Sequence, residues 1–180
     1  MRHTALLAVL LTFSATGVAA QQRAQPGPAV QSAGAVYAVP SPTFATPKDI
    51  DYKVAWEIVT PATEPDRPNQ SMNTVARFLN MHAQAGVPRE RTRVAMVVHG
   101  NAGFELLDGA AYREKFGVDN PNGAMIREIL DAGGRIVLCG QSAASRGIPT
   151  DRLIPGVQVA LSAMTAFVVL QEEGYRVNPW

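Results

Sequence analysis

Two short apolar runs constrain the fold most. Arg93-Val94-Ala95-Met96-Val97-Val98 runs into His99-Gly100-Asn101-Ala102-Gly103, and Arg135-Ile136-Val137-Leu138 runs into Cys139-Gly140. Neither alternates apolar with polar residues, the pattern of strands covered on both faces, as in parallel sheets. Helical patterns lie around them. Met72, Val75, Ala76, Leu79 and Ala83 recur at helical spacing, with Phe78 beside them, Ser71 as the expected N-cap and Gly86 and Pro88 as the stop. Met125, Ile126, Ile129 and Leu130 mark another helix, capped by Asn120 or Asn122 and ended by Gly133-Gly134. Residues 104–116 read as helical in part, broken at Asp108-Gly109. Residues 51–60 form a first strand with Val54, Trp56, Ile58 and Val59, ended by Pro61. Further on come a short helix over 141–146, a short strand over 157–159, an apolar helix over 162–174 and a last strand over 175–177. The alternation predicts an α/β domain over residues 48–180, with a mostly parallel sheet and helices on both faces.

The stretch before this domain reads differently. Met1-Arg2-His3 is basic, the run to Val18 is apolar, and Val18-Ala19-Ala20 has the small-x-small form of a cleavage site. Residues 1–20 are therefore expected to be a signal peptide, and the mature protein periplasmic or secreted. Left uncut, the same stretch would be an anchor. No cysteine follows it, as a lipoprotein signal would need. Residues 21–47, rich in Ala, Gln, Pro, Gly and Ser, read as a flexible or extended linker. Residues 157–170 are strongly apolar, but the run is short for a membrane span, and Gln158, Ser162 and Thr165 interrupt it. A buried core helix is expected there, and no membrane span beyond the signal. With a net charge of +1 and scattered Lys and Arg, nothing predicts nucleic-acid binding.

Chemistry concentrates at Cys139, the only cysteine in 180 residues. Exported proteins usually hold cysteines in pairs, so a single one is inert and buried, paired with another chain, or kept for reaction. Its place between a strand end and the helix opened by Gly140 suits a thiolate, because free N–H groups at a helix start favour the anion. His99, at the neighbouring strand end, is a candidate proton acceptor. The bland alternative, a small buried hydrophobe, stays open from the local pattern. Gly140-Gln141-Ser142-Ala143-Ala144 is a near miss to a hydrolase nucleophile elbow, but no histidine follows Ser142, as that order needs. A closed zinc site lacks its four ligands, so no metal is expected. Without a Cys-x-x-Cys pair, a dithiol cycle within one chain is ruled out.

Several segments taken in order carry a resemblance. They are Val75–Asn80, Val94–Gly100, Tyr112–Asn122, Cys139-Gly140-Gln141-Ser142 with Arg146-Gly147-Ile148, and Ala160–Thr165. From about Lys53 onward, the chain resembles the DsrE/DsrF-like family of sulfur-relay proteins, most closely its exported single-domain members. The resemblance implies a three-layer α/β/α fold with a central, mainly parallel five-stranded sheet, and homo- or hetero-oligomers. It implies that Cys139 carries sulfur as a persulfide, exchanged with thiol or persulfide donors and acceptors, whether proteins or small sulfur compounds. His99, Asn101, Gly140, Gln141 and Ser142 are the expected neighbours, and no cofactor is expected. Characterised relays are cytoplasmic, so an exported member would need other partners. The alternative function is a non-catalytic ligand- or protein-binding module with Cys139 buried.

Overall fold

A computed structural model describes residues 22–178; the expected signal peptide lies outside them. Five strands, β1 (Tyr52–Ile58), β2 (Thr92–Val98), β3 (Arg135–Cys139), β4 (Gln158–Ala160) and β5 (Arg176–Asn178), form one sheet in the order β4-β3-β2-β1-β5. Every pairing is parallel. The helices are α1 (Gln70–Gln84), α2 (Gly109–Phe116), α3 (Gly123–Asp131), α4 (Gly140–Arg146) and α5 (Ala163–Glu172), with 3-10 turns over Gly100–Leu106 and Thr150–Arg152.

The order follows from the connections. The chain steps from β1 to β4 in one direction, and α5 then carries it back across the sheet to β5, beside β1. Parallel crossovers are right-handed, so the reversal puts α5 on the opposite face. The core divides accordingly. Val94, Met96, Val98, Ile136 and Leu138 pack with α1 and α3, whereas Ala55, Ala95, Val97 and Val137 pack with Ala166 and Leu170 of α5.

Helix boundaries follow side-chain capping. Asn69, not Ser71, caps α1, its Oδ1 accepting from the N–H groups of Ser71 and Met72 at 2.9 and 3.2 Å. The expected break at Asp108-Gly109 is a helix start, with Asp108 accepting from Ala111 N–H at 2.7 Å. His82 is a packed helical histidine, tilted against Tyr52 and Phe78.

Two expectations need correction. The apolar helix α5 is not a buried core helix. Ala166 and Leu170 are buried, but Met164 is 76% exposed and Val168 61%. Among the described residues it is the only helix over its face of the sheet, so no other described helix covers its outer side. No described helix is long and apolar enough to cross a membrane.

The supposed linker, in turn, is docked over residues 25–36. Gln25 and Val36 pair through two backbone hydrogen bonds, and Val30 and Val36 are buried. The strap they form wraps the side chain of Asn80 on α1. Asn80 Oδ1 accepts from the N–H groups of Ala29 and Val30, and its Nδ2 donates to the carbonyls of Val30, Ala33 and Gly34. The segment looked like a linker because it lacks apolar periodicity; backbone polar groups, which composition does not report, hold most of it.

Candidate functional site

Cys139 ends β3, the strand at which the wiring changes side. The chain leaves β3 into α4, whose Ala143 joins the α1/α3 core, and leaves the neighbouring β4 into α5 on the opposite face. Adjacent strands whose connections depart to opposite faces open a crevice at their carboxyl ends, the usual ligand position in open α/β sheets. Cys139 pairs in register with Ala160, the last residue of β4, so it lies in that crevice.

Both flanking helices begin there. Burial pushes the Cys139 thiol up, and the polar hydrogens nearby, on the Ser142 N–H and hydroxyl, the Ala163 N–H and the Gln141 N–H, pull it down without a close, well-aligned bond to the sulfur; the net position is below that of an ordinary thiol. Gln141 and Ser142 belong to the first turn of α4 and Ala163 opens α5, so two helix starts face one sulfur. Cys139 as a whole residue is nonetheless only 5% exposed.

Gly140 makes the arrangement possible. A Cβ there would lie 2.6 Å from the Ala160 carbonyl oxygen, so α4 can start against the end of β4 only without a side chain. Gln141 Nε2 donates to the Leu161 carbonyl at 3.4 Å, a second link between the two turns. Ser142 bridges on the other side, its hydroxyl accepting from Gly100 N–H at 3.0 Å.

Of the residues expected around Cys139, the structure thus gathers Gly140, Gln141 and Ser142. His99 and Asn101 are engaged elsewhere. His99 Nε2 is 2.8 Å from Glu57 Oε1 and makes no hydrogen bond to Cys139, and Asn101 Oδ1 accepts from Arg146 Nε at 3.0 Å. Glu57 and Ala163 were missed from the sequence. Glu57 is one of several scattered acids, and Ala163 contributes only its backbone; the register of β3 on β4 is what brings it near. No group of three or more His, Cys, Asp or Glu suited to a metal occurs among the described residues.

Ser142→Ala removes the one hydroxyl that lowers the Cys139 thiol and leaves the N–H groups of the two helix starts. The pH midpoint of Cys139 alkylation in the folded protein is expected to rise toward that of an ordinary thiol, and stability to fall by about 1–3 kcal/mol because the buried Gly100 N–H loses its acceptor. An unchanged midpoint would show that the hydroxyl does not act on the sulfur.

The DsrE/DsrF-like family model matches residues 53–179. This chain belongs to that family. The match takes in all five strands of the DsrE-like sheet and the Cys139 crevice, and leaves the strap outside it. No curated protein matches the chain. Among solved structures, it is similar to a protein of unknown function, MTH1491, from Methanobacterium thermoautotrophicum, at 22% identity over 71% of this chain and 98% of the other, with a TM-score of 0.48. It is also similar to the E. coli ychN protein, at 17% identity over 69% and 96%, with a TM-score of 0.48.

Proposed function

We propose that Cys139 takes up and passes on sulfane sulfur as a persulfide. The supporting observation is the place of Cys139 at the end of β3, where α4 begins and the start of α5 follows the paired end of β4. In uptake, the thiolate attacks the outer sulfur of a donor R–S–SH. A new S–S bond forms at Cys139, the donor S–S bond breaks, and R–S⁻ leaves as a thiolate. No external oxidant or reductant is needed, since the sulfane sulfur moves unchanged between thiols. Delivery reverses the step with an acceptor thiolate. The N–H groups at the starts of α4 and α5 would also suit a persulfide anion or a departing thiolate. His99, held by Glu57 through Nε2, would move a proton at the crevice mouth through its other ring nitrogen. Donor and acceptor would be thiol or persulfide proteins or small sulfur compounds. The Met1–Ala20 pattern puts them outside the cytoplasm in this reading.

Incubating the protein with polysulfide and recording its intact mass tests this. One added sulfur, removed by dithiothreitol and lost in Cys139→Ala, is the expected result. No adduct with polysulfide, thiosulfate or a persulfide donor would end the carrier reading. The low exposure of Cys139 favours a second reading, a binding module with a buried thiol. In that case native protein would resist alkylation and react only after denaturation.

Self-association belongs to the same proposal. The outer side of α5 and its entry loop present Leu161, Met164 and Val168, all more than half exposed, beside the open edge of β4. A row of uncharged side chains continuing a sheet edge suits a second copy of the chain. Met164→Glu is expected to shift the protein to a smaller species by light scattering, with unchanged circular dichroism. An unchanged mass for a wild-type oligomer, or a monomeric wild type, would remove this face from consideration.

A further inference from the structure

The segment between the strap and β1 is exposed throughout residues 37–51, yet much of it is apolar. Tyr37 is 57% exposed, Val39 69% and Phe44 89%, and Met81 on the last turn of α1 is 44% exposed. Pro40, Pro42 and Pro47 lack the N–H that a sheet partner would need, and the segment joins no strand. With the last turn of α1 it forms a groove of about 400 Å³, walled by Tyr37, Val39, Pro40, Pro42, Met81 and His82 and lined by no acidic residue. A contiguous apolar surface of this kind marks a place of contact.

Two observations name what it contacts. The first is a rim of cations. Arg77, one turn before Met81, donates through Nε to the Ala35 carbonyl, two residues from Tyr37. Lys48 lies over the end of α1, where a Cβ on Gly86 would fall 3.2 Å from its Nζ. Arg23 precedes the strap, and the pairing of Gln25 with Val36 holds that end of the chain beside Tyr37. Asp51 is paired with Arg91, which leaves Asp49 as the acid facing three cations. The second observation is the path of the chain. The same Gln25–Val36 pairing puts the junction with residues 1–21 next to the groove, and those residues hold the apolar run expected to meet the membrane during export.

We infer that this groove and its basic rim rest on the surface of an anionic phospholipid bilayer, with Tyr37, Val39, Phe44 and Met81 among the headgroups and upper acyl chains. Aromatic and aliphatic side chains ringed by Lys and Arg are the composition of interfacial binding sites. The contact lies on the bilayer without crossing it, and it does not depend on sulfur chemistry. Because α1 runs from the carboxyl end of β1 to the start of β2, its last turn is at the opposite end of the sheet from Cys139, and the crevice faces away from the lipid.

Phe44→Trp puts a fluorescent reporter in the patch, at a position exposed enough to take it. Residues 1–21 contain no tryptophan and Trp56 is buried, so the added emission answers for the patch whether or not the N-terminal run is in the bilayer. The full chain is titrated with vesicles of phosphatidylglycerol and phosphatidylcholine in equal parts, their acyl chains brominated. The variant's emission is expected to shift to the blue and to be quenched beyond that of the wild type, and vesicles of phosphatidylcholine alone to require at least tenfold more lipid. Lys48→Glu in the same background should raise the lipid requirement at least fivefold, about the factor that one cation near an anionic surface contributes. High salt should act in the same direction. Val39→Ser should weaken the response at least fivefold with circular dichroism intact, since this side chain is exposed in the free protein. Vesicle pelleting without quenching at position 44 would mean that the chain reaches lipid by another route. Equal response to phosphatidylcholine alone would remove the role of the rim. A fall in mass by light scattering for Phe44→Ser without lipid would give the patch to a second copy of the chain. Any of these three results would overturn the assignment.

Discussion

Asn80→Ala is expected to release residues 25–36 from the domain and to cost about 2–4 kcal/mol. Five hydrogen bonds from one fully buried side chain hold the strap, and all five partners are strap backbone groups. Without the amide, those groups are either buried unpaired or returned to water, and the second route also exposes Val30 and Val36, each worth about 1.5–3 kcal/mol when buried. Release recovers chain entropy of about 1–2 kcal/mol per freed residue, which is why the result is local opening and not global unfolding. The fit is tight enough for a mirror experiment. A Cβ on Gly27 would fall 2.0 Å from Asn80 Cγ, so Gly27→Ala is expected to produce the same opening from the strap side. Hydrogen exchange at Val30 should accelerate in both variants while Val97, in the centre of the sheet, keeps its protection. Protease should cut within residues 25–36. An Asn80→Ala protein with wild-type exchange at Val30 would show that the strap is held by its apolar residues and by its bonds to Asn73, Arg77 and Glu128 instead.

Gly140→Ala is expected to destabilise the domain by about 2–4 kcal/mol and to raise the Cys139 thiol toward ordinary acidity. Helix propensity alone points the other way, since alanine favours a helix over glycine by about 1 kcal/mol. Position decides the sign. The new methyl group would meet the Ala160 carbonyl at 2.6 Å, and that backbone is paired to β3 at Cys139 itself. Neither side can yield without parting β4 from β3 or tilting α4, and both movements draw N–H groups off the sulfur. Denaturant unfolding and the pH dependence of alkylation should change together. Ser142→Ala, by contrast, introduces no clash and parts no strands, so its loss of stability should be no more than that of the one buried bond to Gly100 N–H. A Gly140→Ala protein of full stability with an unshifted thiol would mean that the two turns are looser than their packing implies.

The sheet was legible in the sequence because its strands are local apolar runs. Val94–Val98 and Ile136–Leu138 are buried from end to end, and that is how they read. What escaped depends on contacts between distant segments. The docking of residues 25–36 is hidden because one asparagine and backbone groups do the binding, and amide hydrogen bonding leaves no periodic trace. The exposure of α5 was misjudged because an apolar helix in a short chain reads as core until the chain's path shows a face with a single described helix on it. At the site, Cys139 and the α4 start are sequence neighbours and were foreseen together. The Ala163 N–H became visible only through the β3–β4 register. His99 was expected beside the cysteine from its strand end alone, and pairing to Glu57 across β1 and β2 is what claims its Nε2.

The two helix starts around Cys139 also couple proton binding to folding. In the unfolded chain those donors are far apart, and the thiol is an ordinary one. Its acidity in the folded protein is higher, so the sign is that of a depressed group. The stabilising increment is fully present above the unfolded thiol's pKa and fades as pH falls through the lower folded value. A capped or alkylated Cys139 has no charge to stabilise and forfeits that increment. Mildly alkaline solution should therefore protect free protein against denaturant more than it protects protein blocked at this one sulfur.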